Sequence, residues 1–279
     1  MTDVTKMQPV SRVILEEKYA SFKGETLEQI KERLIKGILK ASKEFHNEDL
    51  EENFFEKDFI LDKFIPGGRI VANLGVEFDE DMVKRNTMIN CYSSGKIEDS
   101  MEGIMDNFST AAKTLQSGGG IGTNFSSIRP KGAPIKGVLN GFASGPVSFM
   151  EIGDSVSKTI RGAGSRRGAS IAVLSCRHPD IMEFITCKET PNKFTQYNIS
   201  VGIENGFMDA VRDDEEWELR FPVELEEPAI ISKKVKAREI WEAIMKNTYE
   251  SAEPGVLFLD NANLYNPFCA SEPIVVCNP

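Results

Sequence analysis

The chain has 279 residues, 33 basic and 43 acidic, for a formal charge of −10 with both histidines neutral. At roughly 100–200 residues per domain this is one large or two modest domains, and 41% hydrophobic residues exclude the disordered and fibrous classes. No apolar run approaches the ~20 residues of a membrane span, the first nine residues do not read as a signal peptide, and an acidic surface repels nucleic-acid backbones.

A cytoplasmic protein with no membrane and no nucleic-acid partner is therefore expected, with small nucleotides still allowed. Thr26 and Gln29 form a capping box, and Leu27, Ile30, Leu34, Ile35 and Ile38 then fall on one helical stripe to about Ser42. The apolar stretch Phe59–Ile65 meets Pro66-Gly67-Gly68, where a helix ends and a loop begins. The reading is a helical domain over 1–65 and a second domain over 66–279.

Beyond that point helices alternate with short β-branched runs. Ile104, Phe108, Ala111 and Leu115 mark one helix, residues 146–161 a second, and Ile240, Trp241, Ile244 and Met245 a third. Ile171–Leu174, Ile199–Ile203, Val256–Leu259 and Ile274–Val276 read as buried strands, so the fold class is α/β. The charged segment from Arg212 to Lys236 reads as a solvated excursion.

The five cysteines form no Cys-x-x-Cys pair and no zinc spacing, so no metal site is expected and a disulfide scaffold is disfavoured. Glycines concentrate at Gly118–Gly122 and Gly162–Gly168. Exposed backbone N–H groups of such turns cradle anions, and nearby Arg129, Lys131, Lys136, Arg161, Arg166 and Arg167 suit phosphate. A tight turn or a solvated basic loop is the plainer alternative, and neither cluster matches the two common nucleotide motifs. Asn90-Cys91-Tyr92 precedes Glu98-Asp99-Ser100, where Asp99 or Ser100 caps the helix of Ile104.

Nine segments then occur in order: Phe64-Ile-Pro-Gly-Gly-Arg69, Asn90-Cys-Tyr92, Glu98-Asp-Ser100, Gly118-Gly-Gly-Ile-Gly122, Phe125-Ser-Ser-Ile-Arg-Pro-Lys-Gly-Ala133, Ser144-Gly-Pro-Val-Ser-Phe149, Arg166-Arg-Gly-Ala169, His178-Pro-Asp-Ile181 and Ala252-Glu-Pro-Gly-Val-Leu-Phe258. Together they resemble the large catalytic chain of ribonucleotide reductase, in wording most like the adenosylcobalamin-dependent class II branch. The resemblance implies a helical N-terminal segment followed by the first half of a ten-stranded α/β barrel. It also implies a reaction in which a thiyl radical takes the ribose 3′-hydrogen and a cysteine pair supplies the electrons that replace the 2′-OH.

By that resemblance Cys91 is one of the reducing pair. Asn90, Cys91, Gly119, Gly120, Asn278 and the turn at Ile70 line the substrate pocket, although relatives carry threonine near Ile70. Asn278 orients substrate and counts with Cys91 as catalytic. Asp99, Ser100, Arg129, Lys136 and Arg167 align with the allosteric site for a deoxynucleotide effector, Arg167 in the loop that links effector to substrate. The implied partners are a ribonucleoside di- or triphosphate, a thioredoxin-like reductant, a second copy of the chain in a homodimer, and adenosylcobalamin as cofactor.

The family motif Asn-x-Cys-x-Glu is begun by Asn278-Pro279. The expectation is accordingly an N-terminal portion that needs a C-terminal half from a split gene or a split intein. A non-catalytic nucleotide-binding module and a class I large subunit with a separate radical subunit are the competing readings.

Overall fold

The computed structural model describes residues 8–46, 63–76, 87–135, 137–160 and 169–277. Two compact units divide the described chain between Asn90 and Cys91. In the first, α1 (Pro9–Ile14) runs into a π turn (Leu15–Tyr19), followed by α2 (Leu27–His46) and α3 (Gly68–Asn73). The capping box forms as read: the Thr26 amide donates to Gln29 Oε1 at 2.9 Å and the Gln29 amide to Thr26 Oγ1 at 3.3 Å. The helix then continues one turn past the expected Ser42. Ile30, Leu34, Ile35 and Val71 form this unit's core. Buried Arg33 ties the helices together, donating to Glu25 Oε1 at 2.8 Å and to the Val71 and Leu74 carbonyls at 3.1 and 2.7 Å. The segment of Phe59 to Asp62, where a helix end is expected, lies outside the described residues.

The second unit is a βα succession: β1 (Cys91–Lys96), α4 (Met101–Gln116), β2 (Gly120–Asn124), α5 (Pro146–Thr159), β3 (Ser170–Ser175), α6 (Ile181–Thr186), β4 (Tyr197–Ile203) and α7 (Asn205–Asp213). A hairpin of β5 (Glu216–Phe221) and β6 (Ile231–Lys236) follows, then α8 (Ala237–Ser251), β7 (Gly255–Phe258) and α9 (Leu259–Leu264). The main sheet is wholly parallel in the order β1-β2-β3-β4-β7. Successive neighbours are joined through helices that pack on one face of the sheet. That face holds the core, where Ile104 and Phe108 of α4 and Ile240 and Ile244 of α8 pack with Leu174, Ile199 and Val201.

The stripe Ile104, Phe108, Ala111 and Leu115 is the buried set of α4, as its spacing predicts. Two sequence expectations are corrected. The charged segment to Lys236 is not a solvated excursion: β5 and β6 pair antiparallel from Glu216–Lys236 to Phe221–Ile231, and Trp217, Leu219 and Phe221 are buried. Glu216 and Glu218 take the alternate, outward positions of β5, where Arg220 is itself buried, and charges fill most of β6, which hides a period-2 pattern behind a high net polarity. Ile274–Val276 is not a strand either, but an irregular segment held by side-chain amides. Among the described residues no helix is long and apolar enough to cross a membrane.

Candidate functional site

Side chains alternate across a strand, and residues in register in a parallel ladder share a face. In β1 the Tyr92 ring lies over Gly119, where an added Cβ would stand 2.8 Å from Tyr92 Cε2. Cys91 and Ser93 consequently face the other side. Cys91 pairs with Gly120 and Ser93 with Gly122, and further along the same face lie Asn198 and Gly255. One side of the sheet is thus packed by the helices; on the other, β1 and β2 are small and polar around a half-buried thiol, while β3 adds the buried apolar side chains of Ile171 and Val173 to the same side.

The segment before the chain end runs along that small-residue face. Asn263 grips Ile274 twice, donating to its carbonyl at 2.9 Å and accepting its amide at 2.7 Å. Asn124 donates to the Val275 carbonyl at 2.5 Å. Two residues on, the Cys277 carbonyl sits where a Cβ on Gly122 would be, at 2.0 Å. From Val275 over Asn124 to Cys277 over Gly122, the segment runs antiparallel to β2, toward Gly120 and its partner Cys91. Only a glycine at 122 permits this approach. Burial pushes the Cys277 thiol up.

Gly118 and Gly119 do not cradle an anion. Their amides donate to the Leu115 and Thr114 carbonyls, each at 2.9 Å, and close α4. The glycine cluster is a helix end and a strand start.

At the carboxyl edge of the strands, where open α/β sheets bind ligands, a cavity of about 350 Å3 is bounded by Asn124, Ser175, Gly202, Asp260, Asn263 and Val275. A second, of about 520 Å3, lies between Asp99, Phe221, Pro222 and Ile230. Lys96 and Glu224, paired at 2.8 Å, line both. Burial alone would raise the Glu224 carboxyl, but the hydrogen bond from Lys96 helps hold it below its ordinary value. Neither cavity carries a surplus of positive charge, so neither is a phosphate pocket.

Asp99 and Arg129, 30 residues apart in sequence, meet. Asp99 accepts from the Arg129 amide at 3.1 Å and from its Nε at 2.8 Å, while the Asp99 and Pro134 carbonyls accept from the terminal guanidinium nitrogens at 3.2 Å each. Three of the five guanidinium donors are engaged. The side chains stay 28% and 26% exposed, open enough for the remaining donors to meet a ligand. Ser100, not Asp99, caps α4, its hydroxyl accepting from the Gly103 amide at 3.0 Å.

The structure does not bring all the expected residues together. Ile70 lies on α3 in the first unit, exposed at the surface. Asn90, exposed, ends that unit immediately before Cys91. Lys136, Arg167 and Asn278 lie outside the described residues, as does the second glycine cluster. Sequence reading missed Asn124 and Asn263, whose role depends on carbonyls at positions 275 and 274. Among the described residues no group of three or more His, Cys, Asp or Glu is placed to hold a metal ion.

Residues 90–279 match the family model described as ribonucleotide reductase, barrel domain. The chain is 38% identical over 228 residues to a vitamin B12-dependent ribonucleoside-diphosphate reductase of Thermoplasma acidophilum, covering 81% of this chain and 28% of that protein. It is 34% identical over 218 residues to a protein of the same name from Mycobacterium tuberculosis, covering 78% of this chain and 30% of the relative. A ribonucleoside-diphosphate reductase subunit alpha of Helicobacter pylori is 30% identical over 206 residues, covering 66% and 26%. The chain therefore spans less than a third of the length of each of these relatives.

Proposed function

Because the chain belongs to the ribonucleotide reductase family, we propose that it supplies one of the two reducing cysteines, Cys91, for the conversion of ribonucleotides to 2′-deoxyribonucleotides, together with a deoxynucleotide effector site. The observation that carries this reading is the small-residue sheet face, on which Cys91 stands in register with Gly120 and toward which the segment through Cys277 is led. The five parallel strands are the first half of a ten-stranded barrel whose interior is that face.

In the reaction, a cysteine thiyl radical removes the ribose 3′-hydrogen and, once C2′ is reduced, returns it to C3′, restoring the thiyl. The C2′–O bond then breaks with loss of water, a C2′–H bond forms, and Cys91 with a second thiol becomes a disulfide. The two electrons and the protons come from those thiols, and a thioredoxin-like dithiol restores them. Gly120, in register with Cys91, lets the ribose approach the backbone beside that thiol. Asn90 and Asn278 orient the substrate. The names of the relatives favour a diphosphate substrate.

Adenosylcobalamin supplies the radical in the complete enzyme, a reading supported by the B12-dependent relatives. The described residues of this chain do not form its pocket. The two cavities, of about 350 and 520 Å3, lie in the lower half of the ~300–1,000 Å3 that drug-sized ligands occupy, and a corrin is larger. Both ring nitrogens of His178 are engaged within the protein.

Asp99 accepts from the effector's ribose hydroxyl, and the free donors of Arg129 with Lys136 hold its phosphates, at an interface between two copies of the chain. Ser100 shapes this site as the cap of α4, and Arg167 belongs to the loop that reports effector to substrate. The deciding experiment is Cys91→Ser in a chain completed with the remaining length of the relatives, with adenosylcobalamin and a dithiol. Loss of multiple-turnover reduction is expected, and undiminished turnover refutes the assignment. Activity that ignores cobalamin and needs an iron or manganese protein would instead favour a class I reductase.

A further inference from the structure

The motif His178-Pro-Asp180 has no part in the chemistry above, yet it is among the most tightly held groups of the second unit. His178 is fully buried. Its Nδ1 accepts from the Asp180 amide at 3.0 Å, which makes Nε2 the donor, and Nε2 donates to the Ile128 carbonyl at 2.9 Å. Asp180 Oδ2 accepts from the Lys131 amide at 2.8 Å. A third segment crowds that bond: a Cβ on Gly145 would stand 2.5 Å from Asp180 Oδ2 and 2.9 Å from the Lys131 nitrogen.

The two bonds fall on either side of Arg129. His178 holds the carbonyl of the residue before it, and Asp180 holds the amide two residues after it. Between these anchors the Arg129 amide and guanidinium both meet Asp99. A second tie, from Ser127 Oγ to the Ile97 carbonyl at 2.6 Å, joins the same two loops. The direction of the guanidinium depends on the backbone at 128–131, and that backbone is set from the β3–α6 turn.

We propose that His178 and Asp180 are positioning residues for the effector site, clamping Ile128–Lys131 so that Arg129 is aimed at Asp99 and at an incoming deoxynucleoside triphosphate. The proposal deepens the reading of Asp99 and Arg129 as effector ligands and rests on it. Burial pushes the His178 imidazole down to about 4, which keeps the neutral donor-acceptor form at working pH. Neither residue touches the nucleotide; both act through Arg129.

The test uses the full chain, with dATP, dTTP and dGTP as separate probes and amide hydrogen exchange measured without nucleotide. Asp180→Ala is expected to speed exchange at Lys131 and Arg129 while β3 and β4 stay protected, and to weaken binding of the probe the wild type prefers by about tenfold. Asp180→Asn keeps an acceptor oxygen and restores both. With Arg129→Ala already present, Asp180→Ala causes no further loss of affinity. Unchanged exchange at Lys131 in Asp180→Ala overturns the clamp, and faster exchange with unchanged affinity overturns the positioning role. If Asp180→Ala does not fold, His178→Gln, whose amide can donate to the Ile128 carbonyl but does not hold an acceptor at the ring position that meets the Asp180 amide, is read by the same criteria. A wild-type chain that binds none of the three nucleotides overturns the effector reading and the proposal with it. That failure is separate from failure of the clamp, which the nucleotide-free exchange decides.

Discussion

The two faces of the parallel sheet obey different rules. On the helix side, Leu174, Ile199 and Val201 are buried among side chains of α4, α6 and α8, and each contributes through the apolar area it removes from water. On the other side the register places Cys91, Ser93, Gly120, Gly122 and Asn198, which have little apolar area to bury, and, from β3, the buried Ile171 and Val173. A parallel sheet ordinarily reads as near-continuous apolar runs on both faces. Here β3 keeps that character, whereas β1 and β2 carry on the site face the small residues that present a thiol and admit a backbone.

Substitutions on the two faces separate these roles. Leu174→Ala should cost about 2–5 kcal/mol of unfolding free energy, whereas Cys91→Ser should stay within ~0.5 kcal/mol, both read by denaturant unfolding. Equal losses would mean that Cys91 is a core thiol.

Acid provides the next contrast. His178 has its imidazole lowered from 6.5 to about 4, burial being the chief cause. Its neutral form belongs to the folded state, so its contribution is complete above pH 6.5 and is lost as pH falls through 4, by about 3 kcal/mol in total. Unfolding curves of the wild type and His178→Gln should converge in acid, and a constant gap from pH 7.5 to 4 would refute the assignment.

Two glycines sharpen the comparison further. Gly122→Ala drives a methyl into the Cys277 carbonyl, 2.0 Å away, and should cost ~1–3 kcal/mol or release the terminal segment to faster amide exchange. Gly206→Ala in α7 meets only the Trp217 ring near 4 Å and should be neutral or stabilising by up to ~1 kcal/mol. The mildest probe alters no residue. Burial pushes the Cys176 and Cys187 thiols up to about 12, so at pH 8 an aromatic disulfide reagent should label Cys91 and exposed Cys269 while these two wait for unfolding.

Legibility followed the same division. The α4 stripe and the runs in β3, β4 and β7 could be read because burial on the helix side imposes apolar periodicity. Strands β1 and β2 could not, since Cys-Tyr-Ser-Ser-Gly-Lys and Gly-Ile-Gly-Thr-Asn are composed for the site face and have weak strand propensity. The terminal Ile274–Val276 erred in the opposite direction, having strand composition but a path set by Asn124 and Asn263. The candidate residues Cys91, Asp99 and Arg129 came from motif resemblance, and no local rule would have paired the latter two.

What the sequence determined by itself was local or cumulative: the Thr26–Gln29 cap, the α4 stripe, the βα alternation and a motif order that identifies the family. Tertiary structure alone decided which face Cys91 presents, that Arg129 spends its donors on Asp99, and that His178 grips Ile128 from 50 residues away. These are consequences of strand register and crossover geometry. A one-residue shift of register would turn every side chain of a strand to the opposite face, and no periodicity within a single segment records which register its neighbours will impose.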